Sequence, residues 1–316
     1  MAQELPDHCQ RLLRLQRGVI ASWQTEPAGL NPRRVESLVR DGHWQRLHYG
    51  VYATFTGEPP RSAVLWAAVL RAGRNSILSH ETAAELDGLI DKRSRLIHVT
   101  VLNTRRPKPI AGLVIHGTER LLEVRGPGLP PRTVIEETVL DLAQNATSFD
   151  DVVALLTRAC QRRLTFPWML RERVDMRAKL RWRADILQAL EDVADGVHSV
   201  LEYRYIRDVE RAHRLPVAER QVHAVQDGGA IYRDVFYRQY GVIVELDGKA
   251  SHVDRRPQDN RRDNAAAAHD VLTLRYGWAD VTERSCPTAY EVAQTLIARG
   301  WPGSLRPCRR CRDRFS

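Results

Sequence analysis

Between Gly241 and Gly248 an apolar run ends in two acids: Val242-Ile243-Val244-Glu245-Leu246-Asp247. A near-continuous apolar strand is buried, and a buried strand does not carry two carboxylates unless something offsets their desolvation. Glu245 and Asp247 are two apart, so their side chains share one face. Asp234 precedes Glu245 by eleven residues, on the alternating segment Ile231–Tyr237, and a hairpin brings it beside Glu245. Glu202, on a helix expected over Ser199–Arg211, reaches the same place. Three or four converging carboxylates repel one another unless a divalent cation sits between them. Oxygen-only ligation suits Mg²⁺ or Mn²⁺ and not Zn²⁺. Such a site activates water and stabilises in-line displacement at phosphorus.

The surrounding pattern gives these acids a frame. After the helix come strands expected at Gln221–Val225, Ile231–Tyr237 and Gly241–Gly248. A small helix follows the polar stretch at Asn260–Ala268, then a strand at Val271–Tyr276 and a helix at Thr288–Arg299. That order builds an α/β sandwich around a mixed sheet.

Charge points to the same class of partner. The 316 residues carry 48 Lys and Arg against 39 Asp and Glu, net +9, of which Arg158–Arg183 holds +7 and Trp301–Ser316 +4. The rest of the chain is close to neutral, so the positive field is local and suits a polyanion such as DNA. Only four of the basic residues are Lys, and Lys249 is the last of them. With 43% hydrophobic and 28% charged residues the chain is neither fibrous nor disordered in composition. No apolar run approaches the ~20 residues of a membrane span. The start shows no secretory pattern, and five widely spaced cysteines make no disulfide framework. A cytoplasmic, membrane-free protein is expected.

Upstream, residues 1–58 read as helices and a hairpin. A first helix is expected over Arg11–Trp23. Asn31-Pro32 then supplies an N-cap and a helical first residue, and Gly42 closes that second helix. Trp44–Ala53 alternates around Gly50 as a hairpin. This is the order of a winged helix-turn-helix, with Arg33, Arg34, Arg40 and Arg46 as the DNA-binding residues. Residues 59–146 form an α+β middle unit, with helices at Arg61–Arg71 and Ser79–Leu86 and strands at Leu96–Leu102 and Gly112–His116. Thr133–Glu136 reads as a capping box. His80, His98 and His116 are scattered through it, as surface or satisfied histidines rather than ligands. Residues 147–197 are a basic helical connector, opened by a capping box at Ser148–Asp151, with an Arg face for a phosphate backbone. Residues 198–302 are the sandwich and 303–316 a basic tail.

Two resemblances follow from particular blocks. Asp234, Glu245 and the Gly248-Lys249 that follows resemble the PD-(D/E)XK nuclease signature. More narrowly, Ser199–Glu202, Leu215-Pro216 with Gln221, Arg233–Val235, Val244–Gly248 with His252, Arg261–Asn264 and Leu274–Trp278 resemble the Vsr-like endonuclease group. This resemblance implies a restriction-endonuclease-like fold and a Mg²⁺-dependent endodeoxyribonuclease. Asp234, Glu245 and Asp247 would hold the metal, Glu202 would complete the shell, and Asp247 or Lys249 would handle the water. Leu38–Gly42, Arg46–Tyr52, Leu78–Ala84 and Thr138–Ala143 resemble the AbiEi-type antitoxin and transcriptional-regulator family. That implies a winged-helix DNA-binding head and, in a non-catalytic reading, a repressor with a cognate toxin partner and an inactive nuclease fold.

One departure matters. The nuclease pattern expects Lys two residues after Glu245, where this chain has Asp247. Three readings stay open: Lys249 swings in after Gly248, a second metal replaces the lysine, or the fold is kept only for binding. Cys308-Arg309-Arg310-Cys311 is a CxxC without a second pair, read here as part of an Arg-rich tail without structure.

Overall fold

The computed structural model describes residues 5–27, 29–105, 107–226, 229–247 and 271–312. It is a mixed α/β protein with three small sheets and many helices. The chain divides into two compact units. One is Met1–Ala146 with Arg162–Thr165, the other Thr147–Gln161 with Phe166–Ser316.

The first unit opens with α1 (Asp7–Leu15), β1 (Val19–Ala21), α2 (Ser22–Thr25), α3 (Pro32–Arg40), β2 (Gln45–His48) and β3 (Val51–Ala53). The expected helix over Arg11–Trp23 is therefore interrupted. Arg17 and Gly18 adopt positive φ, at 56° and 80°, and the chain leaves the helix there. Val19, Ile20 and Ala21 are then fully buried and pair antiparallel with Val51–Ala53. Buried in a sheet, three apolar residues stabilise a strand more than one further helical turn would. α3 begins as the sequence indicates. Asn31 Oδ1 accepts from the Arg34 N–H at 2.8 Å, and Pro32 stands at the first helical position. Gly50, with φ 69°, makes the β2–β3 turn.

The same unit continues with α4 (Arg61–Ala72), β4 (Ile77–Leu78), α5 (His80–Leu86), β5 (Ile97–Leu102), β6 (Leu113–Thr118), α6 (Leu121–Val124) and α7 (Ile135–Asn145). Its sheet runs β4-β5-β6, with β5 and β6 parallel. Leu65, Ala68, Val69, Leu78, Val99 and Val101 form its core. The capping box expected at Thr133–Glu136 does not form. Val134 is the N-cap, Thr133 Oγ1 bonds Thr138 Oγ1 at 2.6 Å, and the buried Glu136 accepts from Thr165 at 2.6 Å. Glu136 thus satisfies a buried hydroxyl instead of the helix terminus.

The second unit starts with α8 (Phe149–Gln161), α9 (Pro167–Met176) and α10 (Arg183–Ala194). Ser148 and Asp151 form a reciprocal capping box, N–H to carboxylate at 3.0 Å and N–H to hydroxyl at 3.2 Å. Part of the basic run serves the protein itself. Arg183 donates to the Val174 carbonyl at 2.6 Å, closing α9, and Arg171 pairs with Glu191 at 3.0 Å. α11 (Val200–Arg204) passes into a π-helical stretch, Tyr205–Arg211. Arg204 clamps Asp150 through two 2.8 Å bonds, tying this helix to α8.

β7 (Glu219–Gln226), β8 (Gly229–Tyr237), β9 (Val242–Asp247) and β10 (Leu272–Gly277) form one sheet in the order β10-β9-β8-β7. β10 and β9 are parallel and the other pairs antiparallel, so the sheet is mixed. α12 (Trp278–Thr282) and α13 (Ser285–Ala298) complete the unit. Leu201, Tyr205 and Val209 of the helix meet Val235, Tyr237, Val242 and Val244 of the sheet and Val292, Ala293 and Leu296 of α13. At about 1.5–3 kcal/mol for each fully buried large apolar side chain, this packing holds the unit together. Within it Tyr205 and Tyr237 share a 3.0 Å hydroxyl contact, Tyr237 donates to Glu210, and Arg220 neutralises that buried acid.

The tail reading is overturned. Trp301 and Leu305 pack against this core, the Arg306 N–H donates to the His213 carbonyl at 3.1 Å, and Cys311 is buried. The chain from Trp301 to Arg312 is part of the second unit, held by contacts a local reading of Arg and Pro content does not register.

Candidate active site

β8 and β9 pair at Tyr237 with Val242, Phe236 with Ile243 and Val235 with Val244. Val235, Val244 and Leu246 contribute to the core, so alternation turns Asp234, Glu245 and Asp247 to the other face. Just past the last of these pairs, Asp234 Oδ2 accepts from the Leu246 N–H at 2.8 Å. Its Oδ1 accepts from Gln221 Nε2 at 3.3 Å, and the same amide donates to Glu202 Oε2 at 3.1 Å. Gln221 therefore bridges two carboxylates from a strand position with φ 46°. Burial pushes the Asp234 carboxyl above its ordinary value, and the charges of Glu202 and Asp247 add to this. The Leu246 and Gln221 N–H donors oppose it only in part.

Glu202 is buried and already well bonded. It accepts from the His198 N–H at 2.9 Å and the Ser199 hydroxyl at 2.9 Å, while Ser199 Oγ caps the Glu202 N–H. Ser199 thus caps the helix, and these bonds fix the carboxylate that faces Gln221. Glu245 stands across the parallel ladder from Arg275, whose Nε donates to Oε2 at 3.1 Å. Asp247 is exposed at the end of β9. Lys249, His252 and Arg261–Asn264 lie outside the described residues.

The sequence thus places Glu202, Asp234 and Asp247 in one electrostatic neighbourhood, with Glu245 on the same face but paired to an arginine. The spacing of the acids alone gives neither Gln221 nor Arg275 a role in the site. Arg275 carries a signal only once β10 is paired parallel with β9, thirty residues away. The donor set suits a hard divalent cation in chemistry: oxygen donors alone, one of them raised by like charges that a cation relieves. Among the described residues, however, no three of these carboxylates offer oxygens all within 4.8 Å of one another. Gathering them on a cation requires these side chains to move closer together.

In the first unit, Arg33 is exposed on the opening turn of α3 and Arg34 is half-buried. Arg40 pairs with Asp41 at 3.5 Å and donates to the Ser37 hydroxyl at 3.3 Å. Arg46 extends over the Tyr52 ring, 5.7 Å from its centroid, and Tyr49 is exposed at the hairpin tip. The histidines expected to be scattered instead come together. His116 stacks on His80 at 3.6 Å between centroids, and His98 Nδ1 lies 3.0 Å from His116 Nε2. His98 Nε2 also meets Glu81 at 3.0 Å, so these rings are bonded to each other and to an acid. β5 and β6 bring two of them side by side through the register His98–Val114, Thr100–His116.

Compared with known proteins, the chain matches no family model and no curated protein.

Proposed function

We propose that the chain binds DNA through its first unit and hydrolyses phosphodiester bonds at the Asp234 corner, as a PD-(D/E)XK, Vsr-like endonuclease. The observation that carries the reading is the crowding at Asp234: a half-buried carboxylate, raised by burial and further by Glu202 and Asp247, on the face it shares with Glu245. Carboxylates whose charged form is disfavoured on folding cluster at functional sites, which is what supports this reading. Asp234, Glu245 and Asp247 would hold Mg²⁺ or Mn²⁺, with Glu202 held behind Gln221. The cation supplies charge neutralisation at phosphorus and a more acidic water. Asp247, exposed at the strand end, would take the proton of the attacking water. A P–O bond forms to that water as the bond to the leaving sugar oxygen breaks, and the leaving oxygen takes up a proton. Arg275 beside Glu245 supplies the positive charge that the pattern assigns to lysine.

The N-terminal elements support the head of this reading. α3 carries Arg33 at its exposed start, and the β2–β3 hairpin stands beside it with Arg46, as a recognition helix and wing would. One observation favours the second reading, a non-catalytic AbiEi-like regulator with a toxin partner. Glu245 is already neutralised by Arg275, which a binding-only scaffold has no need to undo.

Supercoiled plasmid incubated with Mg²⁺ or Mn²⁺ separates the two. The nuclease reading expects nicking by the wild type, its loss in Asp234→Asn, and DNA binding retained in that variant. DNA binding without cleavage under any metal leaves the regulator. A protein that neither binds nor cleaves DNA ends both.

A further inference from the structure

We propose that His213, Cys286, Cys308 and Cys311 form a structural zinc site that fastens the segment Trp301–Arg312 to the second unit. The inference stands apart from the nuclease reading and shares no residue with it.

Four ligand atoms lie within 4.8 Å of one another: His213 Nε2 and the three sulfurs. Cys308 Sγ is 3.6 Å from both Cys286 Sγ and Cys311 Sγ, and Cys311 Sγ is 3.7 Å from His213 Nε2. Zn–S bonds of about 2.3 Å in a tetrahedron put sulfurs ~3.8 Å apart. A disulfide would need about 2.05 Å, and all five cysteines are free. The spacing fits one metal ion and no crosslink.

The backbone prepares the ligands. His213 is fully buried, and its Nδ1 lies 3.0 Å from the Val209 carbonyl oxygen. Nδ1 therefore carries the proton, and the Nε2 lone pair faces the cysteines. Orientation of a ligating imidazole by a carbonyl on its other nitrogen is a usual companion of zinc. Cys308 and Cys311 share a tight turn. The Cys311 N–H donates to the Cys308 carbonyl at 3.2 Å, and the Arg310 N–H donates to Cys308 Sγ at 3.3 Å. A backbone N–H aimed at sulfur stabilises a thiolate. Soft sulfur with one imidazole selects zinc over magnesium or calcium. Four protein ligands also fill a tetrahedral shell, so the role is structural and leaves no place for substrate.

The arrangement answers two questions. Trp301 and Leu305 are the partly buried apolar anchors of this segment on the core, too few to offset the entropy of ordering a dozen residues. A metal bond to His213, just after the π-helical stretch, and to Cys286 at the start of α13 supplies the difference. Three thiolates around a divalent ion leave one net negative charge. Arg309, Arg310 and Arg312, all exposed around it, provide the opposing field.

The test is metal content of the full chain, purified under reducing conditions without added chelator. One zinc per chain is expected in the wild type and in Cys160→Ser, and almost none in a Cys308→Ser, Cys311→Ser double variant. If the double variant does not fold, the wild type decides alone. After zinc is stripped, one equivalent of Co²⁺ should produce the visible bands and thiolate-to-cobalt charge transfer of a tetrahedral S₃N site. A wild type without stoichiometric zinc whose Co²⁺ spectrum lacks thiolate bands overturns the proposal. So does a native chain whose cysteines alkylate at the same rate with and without zinc.

Discussion

The helical run from Val200 to His213 carries Glu202 near its beginning and His213 at its end. The clusters around these two side chains are built on different terms. Around Glu202 and Asp234 nearly every carboxylate oxygen has a protein donor: Ser199, His198 N–H, Gln221, Leu246 N–H and, for Glu245, Arg275. Around His213 the donors to sulfur are few and weak, and the ligand atoms mostly meet one another. Hydrogen bonds can satisfy a carboxylate, whereas three sulfurs and an imidazole gathered at 3.6–3.7 Å gain little from each other. The first corner is satisfied by protein donors, and a cation would add to it. The second would draw its stability from its ion.

The sharpest break between the corners is stability after metal removal. Stripping zinc from the wild type should lower the thermal midpoint by ~10 °C or more, since a structural site contributes several kcal/mol of folding free energy and each one moves a unit of this size by about 2–4 °C. Scanning calorimetry with a zinc-selective chelator, then with zinc restored, reads this directly. Removing Mg²⁺ alone should move the midpoint by about 1–3 °C at most. Equal responses to the two treatments would erase this distinction between the two corners.

The histidine cluster of the other unit gives an intermediate case. Burial, helped by the neighbouring His80 and His98 charges, holds the His116 imidazole down to about 4, against the pull of Asp141 and Glu81. Its value in the folded chain lies below the unfolded value near 6.5, so the native state binds the proton less well. Stability is intact above pH 6.5 and is lost as the pH falls from there toward 4. Urea midpoints between pH 7 and pH 4 should therefore fall, and fall less in His116→Gln. An acid limb as steep in the variant would show that His116 does not set it. The contrast with His213 is in tautomer and neighbours: one ring is packed against other rings, the other presents a lone pair to sulfur.

Much of this was legible in the sequence where the signal is local. Asn31-Pro32 opens α3, Ser148 and Asp151 cap α8, and the strands of the second sheet follow the alternating and apolar runs that announce them. Asp234 and Glu245 share a face because antiparallel pairing requires it. Signals that depend on distance were lost. β1 reads as a continued helix until β3 is there to bury it. Arg275 becomes a partner only through parallel register. The CxxC at Cys308 looks like half a site because its other half, His213 and Cys286, lies far upstream on two different elements. Metal ligands contributed one at a time have no sequence spacing to recognise.

The smallest effect concerns Asp234 itself. Burial raises its carboxyl above the usual value near 3.8, and Glu202 and Asp247 raise it further. The native state therefore holds this proton more tightly than the unfolded chain does. Stability declines as the pH rises from 3.8 through the raised value, and at neutral pH the charged form is a net cost. Asp234→Asn removes that charge and keeps an amide oxygen able to accept from the Leu246 N–H. Without divalent metal the variant should melt about 1–3 °C above the wild type at pH 7 and show a flatter pH dependence. With Mn²⁺ the order should reverse, because the wild type gains from the ion and the variant does not. Calorimetry of both proteins, with and without Mn²⁺, tests each part. A variant that melts below the wild type without metal would mean that the Asp234 charge is needed for its bonds to Leu246 and Gln221. The carboxylate corner would then be a structural cluster like the one around Glu210, with no reserve for a cation.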